Sequence, residues 1–151
     1  MMGMSLIESG RYGAPSEEMV FINNTSNIHL DIMRPDALIS GLKSVAHNLN
    51  YQQRDLRLFE YGRTYAKQEE GFKETEFLSL FITGADQPPS WQTSPAQADF
   101  YQLKQWVERV LLRVSIATYQ VKEVEGEAFD FGLEYHRGPN SIVRFGQVSK
   151  Q

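Results

Sequence analysis

The spacing of apolar residues changes along the chain, and each change marks an element. Leu38, Leu42, Val45, Ala46 and Leu49 recur at intervals of three and four, which predicts one apolar stripe on a helix. Pro35 suits the first helical position, where a missing N–H costs nothing, and Asp36 follows in the first turn against the positive end of the dipole. The helix is expected to end between residues 48 and 51. Gly41 in its middle costs up to about 1 kcal/mol in propensity, so close packing is expected at that turn. From residue 55 to 65 the period shortens to two, predicting a strand. Leu56 and Leu58 lie on one side and Phe59 and Tyr61 on the other, so both faces are expected to be covered. KQEEGFK at residues 67–73 reads as a charged turn. FLSLFI at residues 77–82 reads as a central strand, antiparallel to the one before.

The flanking segments are shorter. Residues 3–7 are apolar, residues 10–16 (GRYGAPS) form a loop, and Met19-Val20-Phe21-Ile22 is a compact strand candidate broken by Asn23-Asn24-Thr25-Ser26-Asn27. A Pro-rich loop covers residues 84–94. A second helix then starts either at Ser94-Pro95-Ala96-Gln97, in the form of a capping box, or at Asp99 with Gln102 three residues on. Phe100, Leu103, Val107, Val110, Leu111 and Val114 give it a core-facing stripe. Residues 119–124, 131–135 and 142–148 alternate as three strands, separated by Gly126 and by Gly138-Pro139.

Length and composition bound this picture. At 151 residues with 41% apolar content, one domain spanning residues 1–151 is expected, able to bury a core without a metal or disulfide. The absence of cysteine excludes disulfides, thiolate metal sites and cysteine nucleophiles. A net charge of −4 argues against a surface built chiefly to grip nucleic acid. No apolar run approaches the ~20 residues that span a bilayer, and MMGMSLIESG lacks a basic leader, so neither membrane nor signal peptide is expected.

Few residues suggest chemistry by themselves. His29, His47 and His136 share no metal-ligand spacing, and Ser5, Ser40, Ser90 and Ser141 sit in no nucleophile elbow. Gly41-Leu42-Lys43-Ser44 lacks the upstream glycine of a phosphate loop, and its Lys does not directly follow Gly41. Glu69, Glu70, Glu74 and Glu76 read as a solvated rim. Glu60 differs, because it lies inside a strand among large apolar residues. It is either edge-facing or ion-paired, with Arg63 or Arg34 as partner, or it lines a pocket.

At this point the chain resembles a known family, the C-terminal class II synthetase-like domain of the bacterial phenylalanyl-tRNA synthetase beta subunit. Met33-Arg34, Leu38 with Gly41-Leu42, and Asn48-Leu49-Asn50 match around the first helix. Residues 55–63 (DLRLFEYGR) match the family's D-x-R-L-F-E-I-G-R strand. Asp99-Phe100, Leu103-Lys104, Val107-Glu108 and Leu111-Leu112 fit its D-F-x-x-L-K-x-x-V-E-x-L-L helix. His136, Gly138 and Phe145-Gly146 are weaker landmarks. Asn24-Thr25, Gln105 and His136-Arg137 depart from the family's Asn-Pro, Gly and His-Pro.

The resemblance implies an α+β fold, an antiparallel β-sheet flanked by helices, as a partial class II aminoacyl-tRNA synthetase-like core. It implies a cytoplasmic α2β2 enzyme that charges tRNA(Phe), with ATP and Mg at the alpha subunit and no cofactor, metal or catalytic residue in this chain. The implied partners are the alpha subunit, a second beta subunit and, through the whole enzyme, tRNA(Phe). Catalytic class II enzymes follow such a strand with an arginine that forks onto the ATP α-phosphate. Here Ala66 stands at that position, followed by Lys67 and Gln68. Arg34, Phe59, Glu60, Gly62, Arg63 and Ala66 are thus expected to line a degenerate pocket along the strand. The motif-one helix, the closing glycine-rich motif, the editing domain and the anticodon-binding domain are expected outside the chain. Two other readings remain open: a stand-alone class II-like paralogue that binds an amino acid or nucleotide, and an unrelated α+β module.

Overall fold

The computed structural model describes residues 4–12, 17–23, 26–27, 29–85, 96–126 and 128–149, without the side chains of residues 11 and 125. It divides into two compact units, Met1–Gly84 and Ala85–Gln151. Both are α+β, and every strand pairing is antiparallel. Instead of one sheet, the described strands form three, of two, two and three strands.

In the first unit, strand β1 (Leu6–Ile7) pairs with β2 (Ile32–Met33), and Leu6 faces Met33. The strand expected at residues 19–22 is reduced to a single bridge between Phe21 and Ile32. Its backbone is still engaged: Met33 N–H donates to the Val20 carbonyl (2.9 Å) and Ile22 N–H to that of Asp31 (2.9 Å). The loop expected from residue 10 starts as a 3-10 turn, Ser9–Tyr12. Asp31 holds that turn, accepting from the Ser9 amide at 2.7 Å and the Ser9 hydroxyl at 2.5 Å. Asn24-Thr25 lies outside the described residues.

Helix α1 (Leu38–Asn50) starts slightly later than Pro35 suggests. Asp36 does more than complement the dipole: its Oδ1 accepts from the Leu38 and Ile39 amides at 2.8 and 3.1 Å and caps the helix. Gly41 is buried, and a Cβ there would fall inside the ring of Phe81, which is the close packing its position predicts. The helix ends on Gln52 at φ +64, a left-handed position usually given to glycine.

Strand β3 (Leu56–Gln68) and strand β4 (Gly71–Thr83) form one hairpin, from Leu56 facing Thr83 to Gln68 facing Gly71. The charged turn narrows to Glu69-Glu70, closed by Gly71 at φ +94. The two faces of β3 are not equally covered. Leu56, Leu58, Glu60 and Gly62 share the face that α1 packs against, whereas Phe59 and Tyr61 on the other are each 61% exposed. Alternation of large apolar residues predicts burial only if something lies on both sides, and among the described residues of this unit only one side is covered.

The second unit starts helix α2 (Phe100–Arg113) at Asp99, whose side chain accepts from the Gln102 amide at 2.8 Å. The alternative start at Ser94-Pro95 lies outside the described residues. Val107 and Leu111 of the expected stripe are buried, but Val114 has passed the helix end and is exposed. Strands β5 (Gln120–Gly126), β6 (Phe129–Arg137) and β7 (Asn140–Val148) make a meander close to the expected bounds, and Gly138 at φ +58 forms the β6–β7 turn with Pro139. Its core is a run of rings. Phe100 stacks on Phe145 (5.5 Å), Phe145 meets Tyr135 edge-on (5.1 Å), and Tyr135 stacks on Tyr119 (4.3 Å). The buried Tyr135 hydroxyl donates to Glu108 at 3.2 Å, which ties β6 to α2.

Hydrogen bonds from Ser9 hold the Asp31 carboxyl below its ordinary value. A carboxylate depressed in the folded state contributes stability above its unfolded pKa, and that contribution disappears as pH falls through the folded value. Asp31→Asn is therefore expected to flatten the acid limb of a Tm-against-pH curve below about pH 4. An unchanged acid limb would show that the Ser9–Asp31 contact contributes nothing in solution.

Candidate functional site

The polar centre of the first unit lies where β2, α1 and the hairpin meet. Arg34 follows β2 directly, and its backbone is fixed on both sides: its N–H donates to Ser5 (2.8 Å) and its carbonyl accepts from Tyr65 (2.9 Å). This aims the side chain under α1 onto the inner face of β3. Glu60 reaches the same place from the middle of that strand. Both are 1% exposed, and Arg34 Nη1 lies 2.6 Å from Glu60 Oε1.

Three further contacts hold the guanidinium. Nη1 donates to Ser40 Oγ of α1 at 3.4 Å, and Nη2 to the Arg63 carbonyl of β3 at 3.3 Å. Its carbon lies 4.9 Å from the centre of the Phe77 ring of β4, within cation–π range. Gly62 makes room for this arrangement. A Cβ there would lie 2.6 Å from Arg34 Nη2 and 3.0 Å from Phe77 Cζ. Desolvating two ions is expensive, and only close pairing with added hydrogen bonds offsets it. Arg34 is closely paired and makes added hydrogen bonds through Nη1 and Nη2, though its buried Nε makes none, and the arrangement joins four chain segments.

Of the residues expected along a pocket, Arg34, Glu60 and Gly62 come together. Arg63 contributes its main-chain oxygen, but its side chain lies on the opposite face, 3.1 Å from Glu74 and 3.2 Å from Glu76. Arg34, not Arg63, is thus the partner of Glu60. Phe59 is on the outer face with Arg63. Ala66 shares the inner face with Glu60 but lies six residues along, half-exposed and opposite Lys73. The exposed rim is organised, since hydrogen bonding to Tyr61 and then to Arg63 holds the Glu76 carboxyl below its ordinary value. Solvent screening keeps such exposed pairs weak.

Ser40 and Phe77 also belong to this site, where neither was expected. Phe77 stands directly opposite Gly62, so a hairpin register read from the sequence would have found it. Ser40 gives no such sign. The histidines have local contacts: His29 with Glu8 (3.1 Å), His47 with the Tyr51 ring, and His136 with the Gly138 carbonyl (3.1 Å). Among the described residues no group of three or more His, Asp or Glu is placed to hold a metal ion, and no helix is long and apolar enough to cross a membrane.

What these parts define is a packed α+β scaffold whose buried cation is answered internally. The chain belongs to the family described as the phenylalanyl tRNA synthetase beta chain CLM domain, whose model matches residues 4–151. Among its relatives is the phenylalanine–tRNA ligase beta subunit of Bacteroides thetaiotaomicron, 30% identical over 148 residues, which cover 90% of this chain and 18% of the relative. That of Chlorobaculum tepidum is 30% identical over 158 residues, 96% of this chain and 19% of the relative. That of Chlamydia pneumoniae is 41% identical over 121 residues, 80% and 15%. The chain therefore spans less than a fifth of the length of these relatives.

Gly62→Ala is expected to push the guanidinium off Glu60 and lower stability by about 2–3 kcal/mol in urea denaturation, within the range for overpacked cores. Gly126→Ala, where nothing lies within 4 Å of the added Cβ, is the control and should stay within about 0.5 kcal/mol of the parent. Equal effects at both positions would show that Gly62 does not make room for Arg34.

Proposed function

We propose that this chain is a structural and interaction domain of a phenylalanyl-tRNA synthetase beta subunit, corresponding to its C-terminal class II synthetase-like core. In this reading its two units work together as one domain. The domain supports ATP-dependent attachment of phenylalanine to tRNA(Phe), which takes place on the alpha subunit, where ATP and Mg are held. Its partners are that alpha subunit and a second beta subunit in a cytoplasmic α2β2 enzyme, and tRNA(Phe) through the whole assembly.

The observation that carries this reading is the pairing of Arg34 with Glu60. A cation that steadies a transferring phosphate must reach the nucleotide, and a guanidinium sealed from solvent beneath a helix does not. Arg34 is buried and matched to Glu60 at 2.6 Å. Arg63 faces away, between two glutamates. Ala66, on the inner face, offers a methyl group where a catalytic relative would carry a fork. Arg34, Glu60 and Gly62 then act as a clamp between segments, and Phe59, Arg63 and Ala66 belong to its strand without touching a substrate.

The complete synthetase tests this. Glu60→Leu in the beta subunit should lower the yield of assembled enzyme while each assembled particle keeps the parent rate of phenylalanine-dependent ATP–pyrophosphate exchange. Ala66→Arg should change neither. A lower exchange rate per assembled particle with Glu60→Leu would contradict the proposal. So would micromolar binding of phenylalanine or ATP to the 151-residue chain in titration calorimetry.

A further inference from the structure

The segment that delivers Arg34 has short strands, and the main-chain hydrogen bonds to it, including those of Arg34 with Ser5 and Tyr65, do not by themselves specify which residues pair. β1 and β2 have two residues each, and the other side of β2 is held by one bridge, made of two hydrogen bonds. The hydrophobic pattern does not fix its position either. Leu30 and Ile32 are two apart, so a two-residue slide of β2 keeps every side chain on its own face and puts Leu30, of equal volume, into the fully buried slot of Ile32.

We infer that the Arg34–Glu60 pair is a register lock: together with the Asp31–Ser9 contact, which the same slide would break, it selects the alignment of residues 30–34 with β1 and the β3–β4 hairpin. In a two-residue slide toward Glu60, Ile32 takes the slot of Arg34 and the carboxylate stays buried without its cation. The opposite slide drives the guanidinium into the apolar slot of Ile32. Each error buries an uncompensated charge, and such burial is far more costly than the exchange of one aliphatic side chain for another. A buried polar group that fixes alignment in this way has its best-attested parallel in the single polar core positions of coiled coils.

Disulfide trapping in the 151-residue chain, which has no cysteine of its own, reads the register directly. Leu6→Cys with Met33→Cys reports the native alignment, because those residues face each other, and Leu6→Cys with Asp31→Cys reports the slide. Each pair is placed in the parent and in an Arg34→Met/Glu60→Leu background, which removes both charges and keeps the volume. In the parent the 6–33 link should dominate. In the apolar background the 6–31 link should rise several-fold at the expense of 6–33 while a cooperative thermal transition persists. The same ratio of links in both backgrounds would overturn the proposal. A double variant that does not fold would also overturn it, since the pair would then be needed for stability rather than for the choice of alignment.

Discussion

A guanidinium withdrawn from water must be answered by a charge at close range, and the whole first unit is arranged to answer Arg34. Glu60 supplies the charge, the Arg63 carbonyl and Ser40 take further N–H groups, and Phe77 offers its ring face. These contacts come from both strands of the hairpin and from α1, while the arginine follows β2. Losing one partner of such a pair costs about 3–5 kcal/mol, a large share of the roughly 5–15 kcal/mol that separates a folded domain from its unfolded chain. Placement of the N-terminal segment, the helix and the hairpin is therefore one coupled problem, and Gly62 is part of its solution.

The second unit is built differently. Aromatic rings from α2 and its three-stranded meander pack edge-to-face and in stacks, with Tyr135 the most deeply buried and its hydroxyl anchored to Glu108. The beta subunits that the protein resembles are more than five times as long as this chain. Neither unit shows a committed reaction centre among its described residues. The buried polar side chains Arg34 and Glu60 hold segments of the first unit to one another.

Much of this was legible in the sequence. The shift from a spacing of three and four to a spacing of two located α1 and β3, and the FLSLFI run located β4. Gly41 signalled its close approach to Phe81, and Asp99 its cap. The resemblance around residues 33–63 led to the right family. The sequence left Glu60 with two possible arginines, because the choice depends on which face of β3 lies under α1. It also suggested cover for Phe59 and Tyr61, since alternation shows which residues share a face but not what packs against it. The pairings around β2 have no periodicity to read, being two residues long. Gln52 and Ser115 take left-handed conformations without the glycine that would have announced them.

Arg34 and Glu60 act as a unit, and a double-mutant cycle measures that directly. Arg34→Met, Glu60→Leu and the combination would be compared with the parent by urea denaturation. Each single change should cost about 3–5 kcal/mol, and the combination far less than their sum, close to the parent. Costs that simply add, leaving no coupling between the two positions, would contradict the account.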